Sequence, residues 1–237
     1  MKKSMFFSII VIVLLIPATL YLGTKMTGRA YYFISTLVII ETMLPFFVSF
    51  EKRRPQAREL VTIAVMCALS VAARVVVQIP NFKPMLGIIM ITGIAFGAEA
   101  GFMTGSVGAF ASNFFFSQGP WTPWQMMAYG IGGFIAGMIF HKRELFTKKP
   151  WRDAVILGVF GFFGIALVVG PLLDCCTLFT TGTRITGKYV LAVFASGFPY
   201  NLQHGLSTGI TMLLLAKPLL FKLRRIQIKY GMMEAAK

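Results

Sequence analysis

Hydrophobic positions along this chain run in long, nearly uninterrupted stretches. They show neither the alternation of a half-buried strand nor the one-sided stripe of a soluble helix. The apolar segments fall at about 5–22, 31–50, 60–80, 85–97, 101–116, 125–140, 154–173 and 199–222. At 1.5 Å per residue, most can cross a hydrocarbon core of about 30 Å. The pattern predicts an all-α membrane protein with about eight transmembrane helices. Segments 85–97 and 101–116 are short, and the joint GAEAG, Gly97 to Gly101, reads as a tight turn between them. As one helix they would be too long for a single crossing. As two they fit inside a bundle, where Gly87, Gly93, Gly97, Gly101, Gly105 and Gly108 allow backbones to approach. Residues 189–197 are apolar but brief, and Gly197 and Pro199 predict a break before the last helix. The brief segment reads as a short capping or re-entrant helix, covered by protein. The first segment follows MKKS and has no small-x-small cleavage site after it, which predicts a retained helix and not a signal peptide.

Composition sharpens this picture. Only 13% of residues are charged, where a soluble domain carries about 25%. The net charge of +15 would suit nucleic acid, but the cations sit in short clusters between apolar runs. Strong clusters surround Lys2, Arg54, Arg143 and Arg224, and sparse ones surround Arg29, Lys83 and Lys188. The two kinds alternate along the chain. The positive-inside rule then places both termini in the cytoplasm of a multi-pass cell-membrane protein, with no nucleic-acid partner. The arginine-rich linker divides the chain into an N-terminal transmembrane hairpin with basic linker, 1–57, and a six-segment core with a basic tail, 58–237.

Several chemistries lack their residues. The three cysteines give no disulfide framework, and Cys67 reads as a packing residue. His141 and His204 fall on opposite sides, so no histidine metal site is expected. GTRITGKY, Gly182 to Tyr189, matches GxxxxGK but lacks the Ser or Thr of a nucleotide loop and has no preceding strand. No paired carboxylates share a helical face in the core. We expect no enzyme, no catalytic residues, no metal and no cofactor.

Polar and aromatic residues gather instead at the expected outer ends of the core helices. IPNFKP (79–84), SNFFFSQGPWTPWQ (112–125) and FPYNLQH (198–204) supply Asn81, Phe82, Lys83, Asn113, Gln118, Trp121, Trp124, Gln125, Tyr200, Asn201 and His204, with Tyr129 just beyond. Aromatic rings beside amides suit a pocket for a flat organic ligand. The tryptophans could equally anchor the interface, and His204 could bond a neighbouring carbonyl. Arg74, near the outer end of the first core helix, could snorkel, pair with Asp174 or meet an anionic ligand group. Glu41 and Glu99 are further candidates for pairing. Ala64, Ala68 and Ala72 recur every four residues and form a stripe on which another helix could dock.

These segments resemble the substrate-binding S components of energy-coupling factor (ECF) vitamin transporters. The resemblance rests on RELVTIAVMCALSVAAR (58–74), IPNFKP, the glycine-rich pair with SNFF, QGPWTPWQMMAYG (118–130) and FPYNLQHGLSTGITMLLLAKPLLFKLRR (198–225), and covers roughly 58–230. It implies a six-helix bundle that binds a vitamin or precursor at its outer face and hydrolyses nothing. It implies docking through Ala64, Ala68 and Ala72 on a scaffold transmembrane subunit that carries two ATPase subunits. It also implies a lid at Asn81 to Pro84. The QGPWTPWQ loop and the FPYNLQH start look like S components grouped with cobalamin or cobalamin-precursor uptake; thiamin pyrimidines and queuosine bases stay open. The N-terminal hairpin exceeds the family's six helices. Two other readings remain: a membrane assembly protein without a small ligand, and a membrane redox enzyme working through Cys175 and Cys176.

Overall fold

A computed structural model describes residues 11–15, 18–19, 30–52, 54–80, 82–147, 149–180 and 185–232. Among these the regular elements are all helical. A short helical piece, Val11–Leu15, precedes α1 (Ala30–Lys52), α2 (Ala57–Val76), α3 (Met85–Phe96), α4 (Ala98–Phe116) and α5 (Thr122–Phe140). Then follow α6 (Pro150–Thr180), with a π turn at Ile165–Val169, and α7 (Gly187–Lys229). Three of these, α2, α6 and α7, are long and apolar enough to cross a membrane, and α3 is a shorter apolar helix. Most of the first expected segment, 5–22, lies outside the described residues.

The helix pair α3–α4 turns at Gly97, as the sequence predicts. Gly97 has φ 98°, a left-handed conformation that glycine adopts without a side-chain clash. α3 is apolar all round and buried on almost every face, which makes it the centre of the bundle. Glycines bring its neighbours into backbone contact. A Cβ on Gly93 or Gly101 would strike the Gly133 carbonyl, and one on Gly105 would strike the carbonyl of Tyr129. α3, α4 and α5 therefore pack closer than larger residues would allow.

α1 lies against α4 and α5 through aromatic rings. Phe46 stacks on Phe102 at 4.2 Å and meets Phe134 edge-on at 5.1 Å, while Phe47 meets Phe102 at 5.9 Å. Glu41 of α1 is buried and accepts a 2.7 Å hydrogen bond from Thr19.

One expectation fails. The chain does not break at Gly197 and Pro199: α7 runs through both Pro199 and Pro218 as one helix of 43 residues. Thr186 caps it by accepting from the Tyr189 amide at 3.3 Å. Proline removes an amide donor and frees one carbonyl, which membrane helices tolerate.

The chain alternates between two ends of the bundle. At one end Gln227 donates to the Ala95 carbonyl at 2.8 Å, His141 Nδ1 lies 3.0 Å from the Ile94 carbonyl, and Arg58 donates to the Tyr230 carbonyl at 3.1 Å. This basic end carries Arg143, Arg152, Arg224 and Arg225. The opposite end holds the loops between α2 and α3 and between α4 and α5, and the polar residues singled out above.

Candidate functional site

The buried face of α2 repeats at helical spacing: Ile63, Met66 with Cys67, Ser70, then Arg74. That register turns Arg74 inward at the end of the helix, where it is only 8% exposed. A guanidinium there needs polar company. It donates through Nη1 to the Ser112 hydroxyl and, at 3.1 Å, to the Asn113 Oδ1, both on α4. Its Cζ lies 4.6 Å from the centre of the Phe116 ring, a cation–π distance.

Asn113 passes the connection to α5. Its amide donates to the Thr122 hydroxyl at 3.1 Å and to the Gln125 Oε1 at 2.8 Å. Thr122 donates to Gln118 Oε1 at 2.9 Å, and Gln118 Nε2 donates to the Phe110 carbonyl at 2.9 Å. The result is one network spanning α2, α4, the α4–α5 loop and α5. Beside it opens a cleft of about 460 Å³ lined by Arg74, Val77, Gln78, Ile79, Phe82, Lys83 and Phe116.

A second polar group lies between α6 and α7. Asn201 donates to Asp174 Oδ2 at 2.7 Å. Two glycines make room for this pair. A Cβ on Gly170 would strike the Asn201 side chain, and one on Gly197 would strike the Asp174 carboxylate. The π turn Ile165–Val169 ends at Gly170; such turns are frequent at functional sites. Trp124 stacks on Phe179, with ring centres 5.7 Å apart and planes 17° from parallel. Trp124 Nε1, His204 Nε2, Ser207 Oγ and Thr208 Oγ1 are buried without a hydrogen-bond partner among the described residues. An unpartnered buried polar group costs about 1–3 kcal/mol, so four of them call for an explanation.

The expected residues thus separate. Arg74, Asn113, Gln118 and Gln125 join one network, and Phe82 lines its cleft. Trp124, Asn201 and His204 are buried in the second group. Asn81 lies outside the described residues. Trp121 is 40% exposed and lies over Gly119, and Tyr200 is 55% exposed. Tyr129 belongs to the α4–α5 packing core. Arg74 does not pair with Asp174: Asp174 is taken up by Asn201, and the partners of Arg74 come from α4. Sequence reasoning missed Ser112, Phe116 and Thr122, although all three sit in the quoted SNFFFSQGPWTPWQ stretch. It also missed Phe179, Ser207 and Thr208, for which spacing gave no signal.

Two curated proteins are similar to this chain. Both are UPF0397 proteins of Aliivibrio fischeri, from strains MJ11 and ATCC 700601 / ES114. Each is 30% identical over 117 residues, which is 44% of this chain and 63% of the relative. The matched part of the chain thus spans less than two thirds of the length of these relatives. No solved structure matches. The family model described as the S component of ECF-type riboflavin transporters matches residues 55–220, a stretch that contains both polar groups and the cleft. With that match over most of its length, the chain belongs to the family of ECF-type riboflavin transporter S components.

Proposed function

We propose that this chain is the substrate-binding subunit of an ECF-type importer and captures a vitamin or vitamin precursor at the polar end of the bundle. The observation that carries the reading is the Arg74–Asn113–Gln125 network beside its cleft, inside the stretch that matches the family. A volume of about 460 Å³ falls within the usual 300–1,000 Å³ of small-molecule sites. The orphaned polar atoms of Trp124, His204, Ser207 and Thr208 offer further groups to a ligand. Riboflavin, the vitamin in the family's name, is the first candidate, because a flat ring edged with donors and acceptors suits aromatic walls and amides. Cobalamin, toward which the QGPWTPWQ loop points, is the second.

The cations at the opposite end support an orientation with the cleft outside and both termini in the cytoplasm. Docking on a scaffold subunit with two ATPases would use Ala64, Ala68 and Ala72. All three are exposed, on the side of α2 away from Ile63, Met66 and Ser70. Val61 and Val65 are exposed beside them. The hairpin of residues 1–57 is read as an accessory whose second helix packs on α4 and α5.

A thermal-shift screen of the purified chain in detergent against vitamins and their precursors tests this. A ligand that binds only the folded state raises its apparent stability. One clear stabiliser is expected. A folded sample that no vitamin or precursor stabilises points instead to an assembly protein.

A further inference from the structure

The cleft carries charge of one sign. Arg74 and Lys83 line it, and the other lining residues are Val77, Gln78, Ile79, Phe82 and Phe116. No carboxylate is among them. Arg74 is buried, yet its protein partners, Ser112 and Asn113, are neutral. Both bonds use Nη1, and among the described residues no protein acceptor engages Nη2 or Nε. Neither Arg74 nor Lys83 forms an ion pair among the described residues. Asp174, the carboxylate of the neighbouring polar group, is bound to Asn201.

A buried cation without a counter-charge is costly, and a second cation in the same cleft adds repulsion. The network does not remove that cost; it fixes the guanidinium in place. Ser112 and Asn113 hold one nitrogen and Phe116 covers one face, so the remaining N–H groups keep a set direction. A guanidinium fixed by one nitrogen and open at the others suits two-point recognition of a phosphate or carboxylate. Lys83 supplies a second charge from the α2–α3 loop.

We infer that the ligand carries an anionic group, a phosphate or a carboxylate, and that this group sits between Arg74 and Lys83. The inference rests on the vitamin-binding reading and narrows it. A neutral vitamin would leave both cations unpaired, whereas its phosphorylated or carboxylated form would neutralise them. The apolar wall of Val77, Ile79 and Phe82 would then face the uncharged ring of the same ligand.

Matched pairs of compounds test this on the full chain in detergent: riboflavin and flavin mononucleotide, pyridoxal and pyridoxal phosphate, pantothenol and pantothenate. Inorganic phosphate alone is the control. We expect the anionic member of one pair to bind at least about tenfold tighter than its neutral partner. In Lys83→Gln and in Arg74→Gln that contrast should shrink, because the anionic member loses more affinity than its neutral partner. A purely structural role for Arg74 would weaken both members alike, and Lys83, in a loop, can be replaced without disturbing the bundle. The phosphate pairs and the pantothenate pair tell the two anions apart. Equal affinity for the two members of the pair that binds, or a contrast that survives both substitutions, overturns the inference and leaves vitamin binding standing. Stabilisation by no compound of the panel counts against vitamin binding itself and removes the inference with it.

Discussion

Arg74 donates to the Oδ1 of Asn113 at 3.1 Å, tying the end of α2 to α4 across 39 residues of sequence. Asn113 then holds Gln125 on α5 through its amide. Three helices meet at one side chain, and Asn113 is almost fully buried there.

Replacing Asn113 with Leu should therefore cost more than the loss of one contact. Arg74 and Gln125 would each lose a partner at buried or half-buried positions. A destabilisation of about 2–4 kcal/mol is expected, from one to two unsatisfied groups. Thermal unfolding of the purified variant measures it, and a change below about 0.5 kcal/mol, the ordinary surface range, would remove Asn113 from the centre of the network.

The two tryptophans should behave differently. Trp124 is buried and stacks on Phe179, whereas Trp121 stands 40% exposed over Gly119. Trp124→Ala should weaken ligand binding by about 1–3 kcal/mol, by analogy with base–aromatic stacking. Trp121→Ala should leave it nearly unchanged. Titration of the stabilising ligand against both variants decides, and the reverse order would move the ligand toward the loop.

Gly133 has no room for a side chain. A Cβ there would strike the Gly101 backbone, and backbone cannot rotate away. Gly133→Ala should destabilise by about 1–3 kcal/mol through overpacking. Gly187, whose added Cβ would meet nothing within 4 Å, is the control. Equal unfolding temperatures for Gly133→Ala and Gly187→Ala would show that α4 and α5 are not in such close contact.

Ala68→Leu tests the docking proposal. Ala68 is exposed on α2, so the larger side chain costs the isolated chain little. Binding of ligand should be unchanged, while co-purification with the scaffold subunit and uptake in whole cells should fall. Full uptake by this variant would place the docking surface elsewhere.

The all-helical character and the Gly97 turn were legible in the sequence because they depend on local signals, apolar length and one permissive residue, whereas the count of about eight crossings goes beyond the three long apolar helices among the described residues. The course of α7 was not. Gly197 and Pro199 are valid break signals in water, but here the helix is held by α6, where Asp174 fills the space beside Gly197. Arg74 was recognisable as a buried cation, yet its partners lie 38 and 39 residues away, and no spacing rule reaches that far. Ser112 and Thr122 look like ordinary loop-end hydroxyls until packing brings them to Arg74 and Asn113. Trp121 and Trp124 stand three positions apart in the sequence, and only the start of α5 at Thr122 places the first before the helix and the second within it.

The unbroken α7 has a mechanical meaning. His204, in the second polar group, and Gln227, bound to the Ala95 carbonyl, lie on the same rod, about 35 Å apart at 1.5 Å per residue. The whole helix measures roughly 64 Å, about twice the hydrocarbon thickness. One continuous helix therefore joins the polar end, with Asn201 and His204, to the basic end, with Arg224 and Arg225, and Pro218 is the one proline between them.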